Sequence, residues 1–452
     1  MNTKFIEFRN TYKEIIYKDY LVDEVDNDLV ITYTFEIPGL TTFNPTISFS
    51  KDLVKNSFVN DELMNKIIFH MGMIELISYY KCCCPKRIVV EAGYLDDYDK
   101  SWFKKLFYNG LGEFLYKNNI SISEDELFEF EVLGKEIKLD DVFYQGYGNL
   151  IPVGGGKDSV VTLELLREYK DDNCCFIINP KGANIECCYT AGYTDEDVCK
   201  VKRVIDKILL DLNKEGFLNG HTPFSSVVAF ISYLIAYLTN NKYIVLSNEN
   251  SANEATVIGT NVNHQYSKSY EFEKDFHEFT IKNYGIDIKY FSMLRPLKEI
   301  QIAMLFSKYT KYHNVFKSCN LGSKGSTWEW CCSCPKCLFV YIMLSAFLSK
   351  QDMVEMFGMD LLDNKDLEKD FIDLIGMGET KPFECVGSIN EVIYALNRII
   401  SNYEGELPCL LKLYSDKYQR EEVIDLSYLD DENNVIGEYL DILRENVINY
   451  EK

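Results

Sequence analysis

The chain has 452 residues, of which 47% are apolar and 26% charged, and its net charge is −23. That length and composition allow two or three domains with sizeable cores and exclude a disordered chain. The acidity argues against nucleic acid or an anionic membrane surface as the main partner, so an anionic substrate must meet a local cluster of positive charge.

In chain order, Met1 to Glu7 lacks the apolar core of a signal peptide. Alternation over residues 29–35 predicts a strand, as does the run at 88–90, and helical spacing fits 61–80 and 100–116. Residues 1–147 read as an α+β accessory domain without a catalytic motif. From Tyr144 onward strands and helices alternate: strands at 149–153, 175–178, 243–247 and 288–291, and helices at 159–169, 195–212, 223–238, 266–283 and 297–308. The pattern predicts an α/β fold, a doubly wound, mainly parallel sheet over 148–350 covered on both faces. Ligands then bind beyond the carboxyl ends of the strands, at 154–159, 179–192, 247–265 and 292–296. Residues 351–452 read as a helical C-terminal extension, because aromatic residues persist through its acidic end. The apolar runs 227–238 and 337–348 are too short to span a bilayer. Fifteen cysteines, several of them adjacent, fit a reducing compartment better than a disulfide framework, so a cytoplasmic location is expected.

Gly154-Gly155-Gly156-Lys157-Asp158-Ser159 lies between an apolar run and a helical one, which predicts a strand, a glycine turn and a helix N-terminus. Glycines allow close backbone approach to a ligand, and free N–H groups at a helix start favour an anion. Asp158 and Ser159 should fall at or near the N-cap. The Walker loop is excluded because Lys157 is followed by Asp158, and the dinucleotide fingerprint because residue 159 is Ser. What remains resembles the S-G-G-x-D-S signature of the PP-loop ATP pyrophosphatases, with Gly154 in place of the first serine.

Downstream, Cys331, Cys334 and Cys337 are spaced by two residues each and follow Cys319 after eleven. Four thiolates so spaced can surround a structural Zn²⁺, with an iron–sulfur cluster as the chemical alternative. Cys332 competes with Cys331 as a ligand. The order of glycine loop and cysteine knot is similar to that of the queuosine-precursor nitrile synthases, which adenylate a carboxylate.

Further segments narrow the resemblance: Asn219-Gly220-His221-Thr222-Pro223, Leu246-Ser247-Asn248-Glu249-Asn250-Ser251-Ala252-Asn253-Glu254, Val262-Asn263-His264-Gln265-Tyr266-Ser267-Lys268-Ser269, Phe291-Ser292-Met293-Leu294-Arg295-Pro296-Leu297 and Lys381-Pro382-Phe383-Glu384-Cys385-Val386-Gly387. Together with Asn109-Gly110-Leu111-Gly112-Glu113-Phe114 and Cys334-Pro335-Lys336-Cys337, they resemble the UDP-N-acetylmuramoyl-L-alanyl-L-glutamate epimerases of bacterial peptidoglycan synthesis. The resemblance departs at Cys332, where Gly is expected. It implies a PP-loop (HUP-like) fold, ATP and Mg²⁺ as cofactors, and a UDP-MurNAc-dipeptide substrate. The terminal L-glutamate would be inverted through an acyl-adenylate, releasing AMP and pyrophosphate, with functional coupling to an L-glutamate-adding muramoyl ligase.

In this scheme Gly154, Gly155 and Gly156 supply backbone donors to pyrophosphate, assisted by Lys157 and Ser159. Asp158 is a Mg²⁺ candidate, and Arg295 could clamp a phosphate or the substrate carboxylate. For proton transfer the candidates are His264, His221, Glu254 and Lys268, with Glu249, Tyr266 and Cys385 in reserve. Neither the residues nor the resemblance single out the base. Two other readings remain open: another carboxylate-adenylating PP-loop enzyme, such as an amide or nitrile synthase, and a non-catalytic nucleotide-binding regulator.

Overall fold

Eleven strands form one mixed sheet in a computed structural model that describes residues 2–448 apart from 58, 141, 254–265, 320, 323–328, 379–380, 383 and 385. The strands are β1 (Glu14–Val25), β2 (Asp28–Ile37), β3 (Thr41–Phe43), β4 (Thr46–Ser50), β5 (Arg87–Val90), β6 (Glu129–Val132), β7 (Tyr147–Pro152), β8 (Asn173–Ile178), β9 (Val198–Val204), β10 (Asn241–Leu246) and β11 (Lys289–Ser292). Their order is β11-β10-β7-β8-β9-β4-β2-β1-β5-β6, with β3 paired to β2. Among β7 to β11 all pairings are parallel, and β9 joins this half to β4 by an antiparallel pairing. Counting β7 as the first strand, this half has the order 5-4-1-2-3, so the chain reverses direction across the sheet at β7. Such a switch point opens a crevice at the carboxyl ends of the strands.

The sheet separates two apolar cores, and the two-residue side-chain period assigns residues to each. Leu150, Phe176, Ile244 and Tyr290 enter the core made with the helices Asp61–Tyr80, Phe224–Thr239 and Tyr270–Tyr284. Their neighbours Ile151, Ile177, Val245 and Phe291 enter the other core, made with the helices Lys157–Leu165, Glu299–Ser307, Pro335–Ser345 and Ile389–Ser401. Burial on both faces explains why β8 reads as a continuous apolar run.

The helix expected over 195–212 is not formed as such. A single 3₁₀ turn, Asp195–Asp197, precedes strand β9, and a helix begins only at Lys207. Val198, Val201 and Val204 are spaced by three, which imitates a helical stripe, but β-branched residues also suit a strand. The strand wins because both of its edges are paired: Cys199 and Val201 face Phe176 and Ile178 of β8, while Val201 and Arg203 face Phe49 and Ile47 of β4. Arg203 then makes a forked, buried ion pair with Glu75, Nε–Oε2 2.7 Å and Nη2–Oε1 2.9 Å. The β4–β9 pairing carries the sheet across residue 147 without a break.

The last residues return to the sheet. Tyr439 Oη donates to Asn149 Oδ1 at 2.8 Å, and the Gln301 amide donates to the carbonyls of Leu426 and Tyr428. Among the described residues no helix is long and apolar enough to cross a membrane.

Candidate active site

The glycine turn leaves the carboxyl end of β7 at the switch point. Gly155 has φ +80°, and a Cβ there would lie 2.6 Å from the backbone N of Asn184, so only glycine fits. The helix starts at Lys157, with Gly156 as N-cap and no side-chain cap. Asp158 and Ser159 therefore sit in the first turn rather than at the cap. Ser159 Oγ accepts from Gly155 N at 3.2 Å and donates to Gly156 O at 2.9 Å, which fixes the turn. The positive end of the helix dipole thus faces the crevice without a side-chain cap.

That crevice holds a cavity of about 660 Å³ lined by Gly154, Gly156, Asp158 and Ser159. Phe176, Ile178, Leu246 and Tyr290 give it an apolar wall, and Phe224 and Val228 bring in the start of another helix. Among the described residues, four lysines, Lys181, Lys268, Lys317 and Lys336, line it against the single carboxylate of Asp158. In a chain of net charge −23 this is the local positive cluster an anionic ligand requires. The sequence does not single out Lys317, Lys336 or Lys181, although Lys336 sits inside the second Cys-x2-Cys pair and Lys317 two residues before Cys319.

Lys157 does not line the cavity. It is 1% exposed and pairs beneath the turn with Asp158 and Glu299. Burial opposes its charge, but the two carboxyl groups outweigh burial and raise its pKa. Burial pushes Glu299 up to about 8 despite the pull of Lys157. Burial also works against ionised Glu249, yet Lys268, Lys157 and Lys336 hold it below the usual carboxylate range. Carboxylate oxygens of Asp158, Glu249 and Glu299 lie within 4.8 Å of one another, a donor set that suits a hard divalent cation. Glu299 carried no signal in the sequence, because its neighbours read as a plain core helix.

Arg295 is fully buried and also absent from the cavity wall. Its guanidinium donates to the carbonyl oxygens of Glu249, at 2.6 Å, and of Lys268, and its Nη2 lies 3.5 Å from Glu273 Oε2. It thereby joins the two ends of the segment that presents Glu249 and Lys268.

Of the proton-transfer candidates, Lys268 lines the cavity. His221 lies outside it, with Nδ1 3.3 Å from Glu113 Oε2. Tyr266 is buried, its Oη 3.4 Å from Asp275 Oδ2. His264, Glu254 and Cys385 lie outside the described residues.

Cys319, Cys331, Cys334 and Cys337 converge, with all four Sγ atoms within 4.8 Å of one another. Gly322 N–H donates to Cys319 Sγ at 3.1 Å, the kind of bond that supports a thiolate. Four soft donors without a carboxylate fit a closed tetrahedral metal site. Cys332 has φ +50° and turns its Sγ to Phe357 O at 3.3 Å, away from the cluster.

Comparison with known proteins identifies the family of the chain. The MurL N-terminal domain model matches residues 7–293, and the MurL C-terminal domain model matches residues 315–431. A UDP-N-acetyl-alpha-D-muramoyl-L-alanyl-L-glutamate epimerase of Micromonospora sp. is 31% identical over 392 residues, covering 84% of this chain and 85% of the relative. The protein of the same name from Xanthomonas oryzae pv. oryzae is 32% identical, covering 76% of each chain. That from Salinispora tropica is 34% identical, covering 74% of this chain and 73% of its own.

Proposed function

Because the chain belongs to the MurL family, we propose that it is an isomerase converting the terminal L-glutamate of UDP-MurNAc-L-Ala-L-Glu to D-glutamate. ATP would be consumed as AMP and pyrophosphate, with Mg²⁺, in a PP-loop type of site. The observation that carries this reading is the lysine-lined cavity at the N-terminus of the helix Lys157–Leu165.

The chemistry explains why an inversion would need ATP. Removing an α-proton beside a carboxylate places new negative charge next to existing charge. Transferring AMP to that carboxylate, with pyrophosphate leaving, removes the charge and makes the α-carbon acidic. Each unit of acidity gained is worth about 1.4 kcal/mol. Deprotonation, reprotonation from the opposite face and hydrolysis of the mixed anhydride complete the inversion.

The residues present suit these parts. Backbone N–H groups of the glycine turn and the ammonium groups of Lys317 and Lys336 hold the phosphates. Asp158, with Glu249 behind it, would hold Mg²⁺, which supplies charge neutralisation of the triphosphate. Lys268 is positioned to move a proton, and Arg295 acts by holding the segment that carries it. The cysteine cluster would hold a structural Zn²⁺.

The test is incubation of the full chain with the L,L-substrate and Mg²⁺, with and without ATP. Expected is D-glutamate after acid hydrolysis in the ATP sample alone, with AMP and pyrophosphate. ATP cleavage with a change in substrate mass would favour a ligase or synthase instead, and no ATP cleavage at all would refute the adenylation reading.

A further inference from the structure

Ser318 lies over the N-terminal end of the helix Lys157–Leu165, on the wall of the cavity. A Cβ built on Gly156 would come 2.7 Å from Ser318 Oγ, so the hydroxyl stands against the N-cap. Two neighbours hold it there. Lys317 N donates to Gly155 O at 2.9 Å, which lays the segment along the turn, and Cys319 anchors the segment in the cysteine cluster.

The glycine turn offers backbone donors but little else. Its N-cap has no side chain, and the Ser159 hydroxyl is engaged with Gly155 N and Gly156 O within the turn. Gly154 opens on the cavity, and among the described residues beyond its chain neighbours no atom lies within 4 Å of where its Cβ would be. A hydroxyl reaching this anion-binding end must therefore come from another segment, and Ser318 brings one.

We propose that Ser318 is a polyphosphate-binding residue, its hydroxyl donating to a phosphate oxygen seated at Gly156, and that the cysteine cluster holds it in place. The proposal rests on the ATP reading of this cavity. It gives the cluster a role beyond stability: the segment that enters it completes the nucleotide site. It also implies that a serine at position 154, facing the same cavity with room for its side chain, could do the same work.

The test is equilibrium binding of ATP in the presence of Mg²⁺ to the full chain, with metal content measured on each preparation. Ser318→Ala is expected to weaken binding by about tenfold, the scale of one hydrogen bond to a charged group. Gly154→Ser in the Ser318→Ala background is expected to recover most of that loss, with metal content unchanged throughout. Unaltered ATP binding by Ser318→Ala would overturn the proposal. So would a loss that the second serine does not recover, or one accompanied by loss of metal. A wild-type chain without affinity for ATP would instead overturn the ATP reading itself.

Discussion

Lys157 and Glu299 pair inside the protein, each side chain 1% exposed, so the lysine that follows the glycine turn is committed to the interior and not to the cavity. Removing one partner of a buried pair leaves the other uncompensated. Lys157→Met should lower the unfolding free energy by about 3–5 kcal/mol in alkaline buffer. The loss should shrink in mildly acidic buffer, where Glu299 takes up a proton, and Lys157→Met/Glu299→Gln should recover much of it. Urea unfolding of the three proteins measures this, and a fully stable Lys157→Met would contradict the pairing.

Glu299 itself makes stability depend on pH. Its carboxyl is raised from 4.5 to about 8, so between those values the folded chain keeps a proton that the unfolded chain has released. The contribution is fully present below the unfolded value and is lost as the pH rises through about 8. Glu299→Gln should remove that dependence, flattening the stability profile by up to about 1.4 kcal/mol per pH unit across the window. Parallel profiles for wild type and variant would assign the slope to other groups.

The cysteine cluster separates two adjacent thiols by direction. Cys331 joins the four converging sulfurs, whereas Cys332 turns to Phe357 O. Metal analysis should give about one Zn per chain. Cys332→Ser should retain it and Cys331→Ser should lose it on dialysis; the opposite result would reassign the ligand.

For Arg295 two roles give opposite readouts. A guanidinium bridging the carbonyls of Glu249 and Lys268 cannot be replaced by a single ammonium. Arg295→Lys should cost about 2 kcal/mol of stability and depress kcat, with ATP affinity little changed. Weakened ATP binding at unchanged stability would support the phosphate clamp expected from its place before Pro296.

Much of this was legible in the chain. The parallel half of the sheet, its loops and the cysteine cluster follow from local signals: apolar runs, glycines and fixed spacings. Strand β9 was not legible, because valines three apart satisfy both periods and only pairing with β4 and β8 decides between them. At the site, the glycine turn was visible, but the destination of each charged side chain was not. Lys157 belongs to the motif yet is drawn inward by Glu299, a residue 142 positions later. Lys317 and Lys336 reach the cavity only because the cysteine cluster docks beside the turn. Such long-range choices are made by burial and charge compensation, which a local pattern does not carry.

An ATP-driven inversion of the glutamate α-carbon exchanges its hydrogen with solvent. Its most direct measurement is mass spectrometry and chiral analysis of UDP-MurNAc-L-Ala-L-Glu after incubation with the protein, ATP and Mg²⁺ in deuterated water. One deuterium is expected at the glutamate α-carbon of the D product, dependent on ATP. An L-glutamate recovered without deuterium, from protein shown to be folded and metal-loaded, would contradict it.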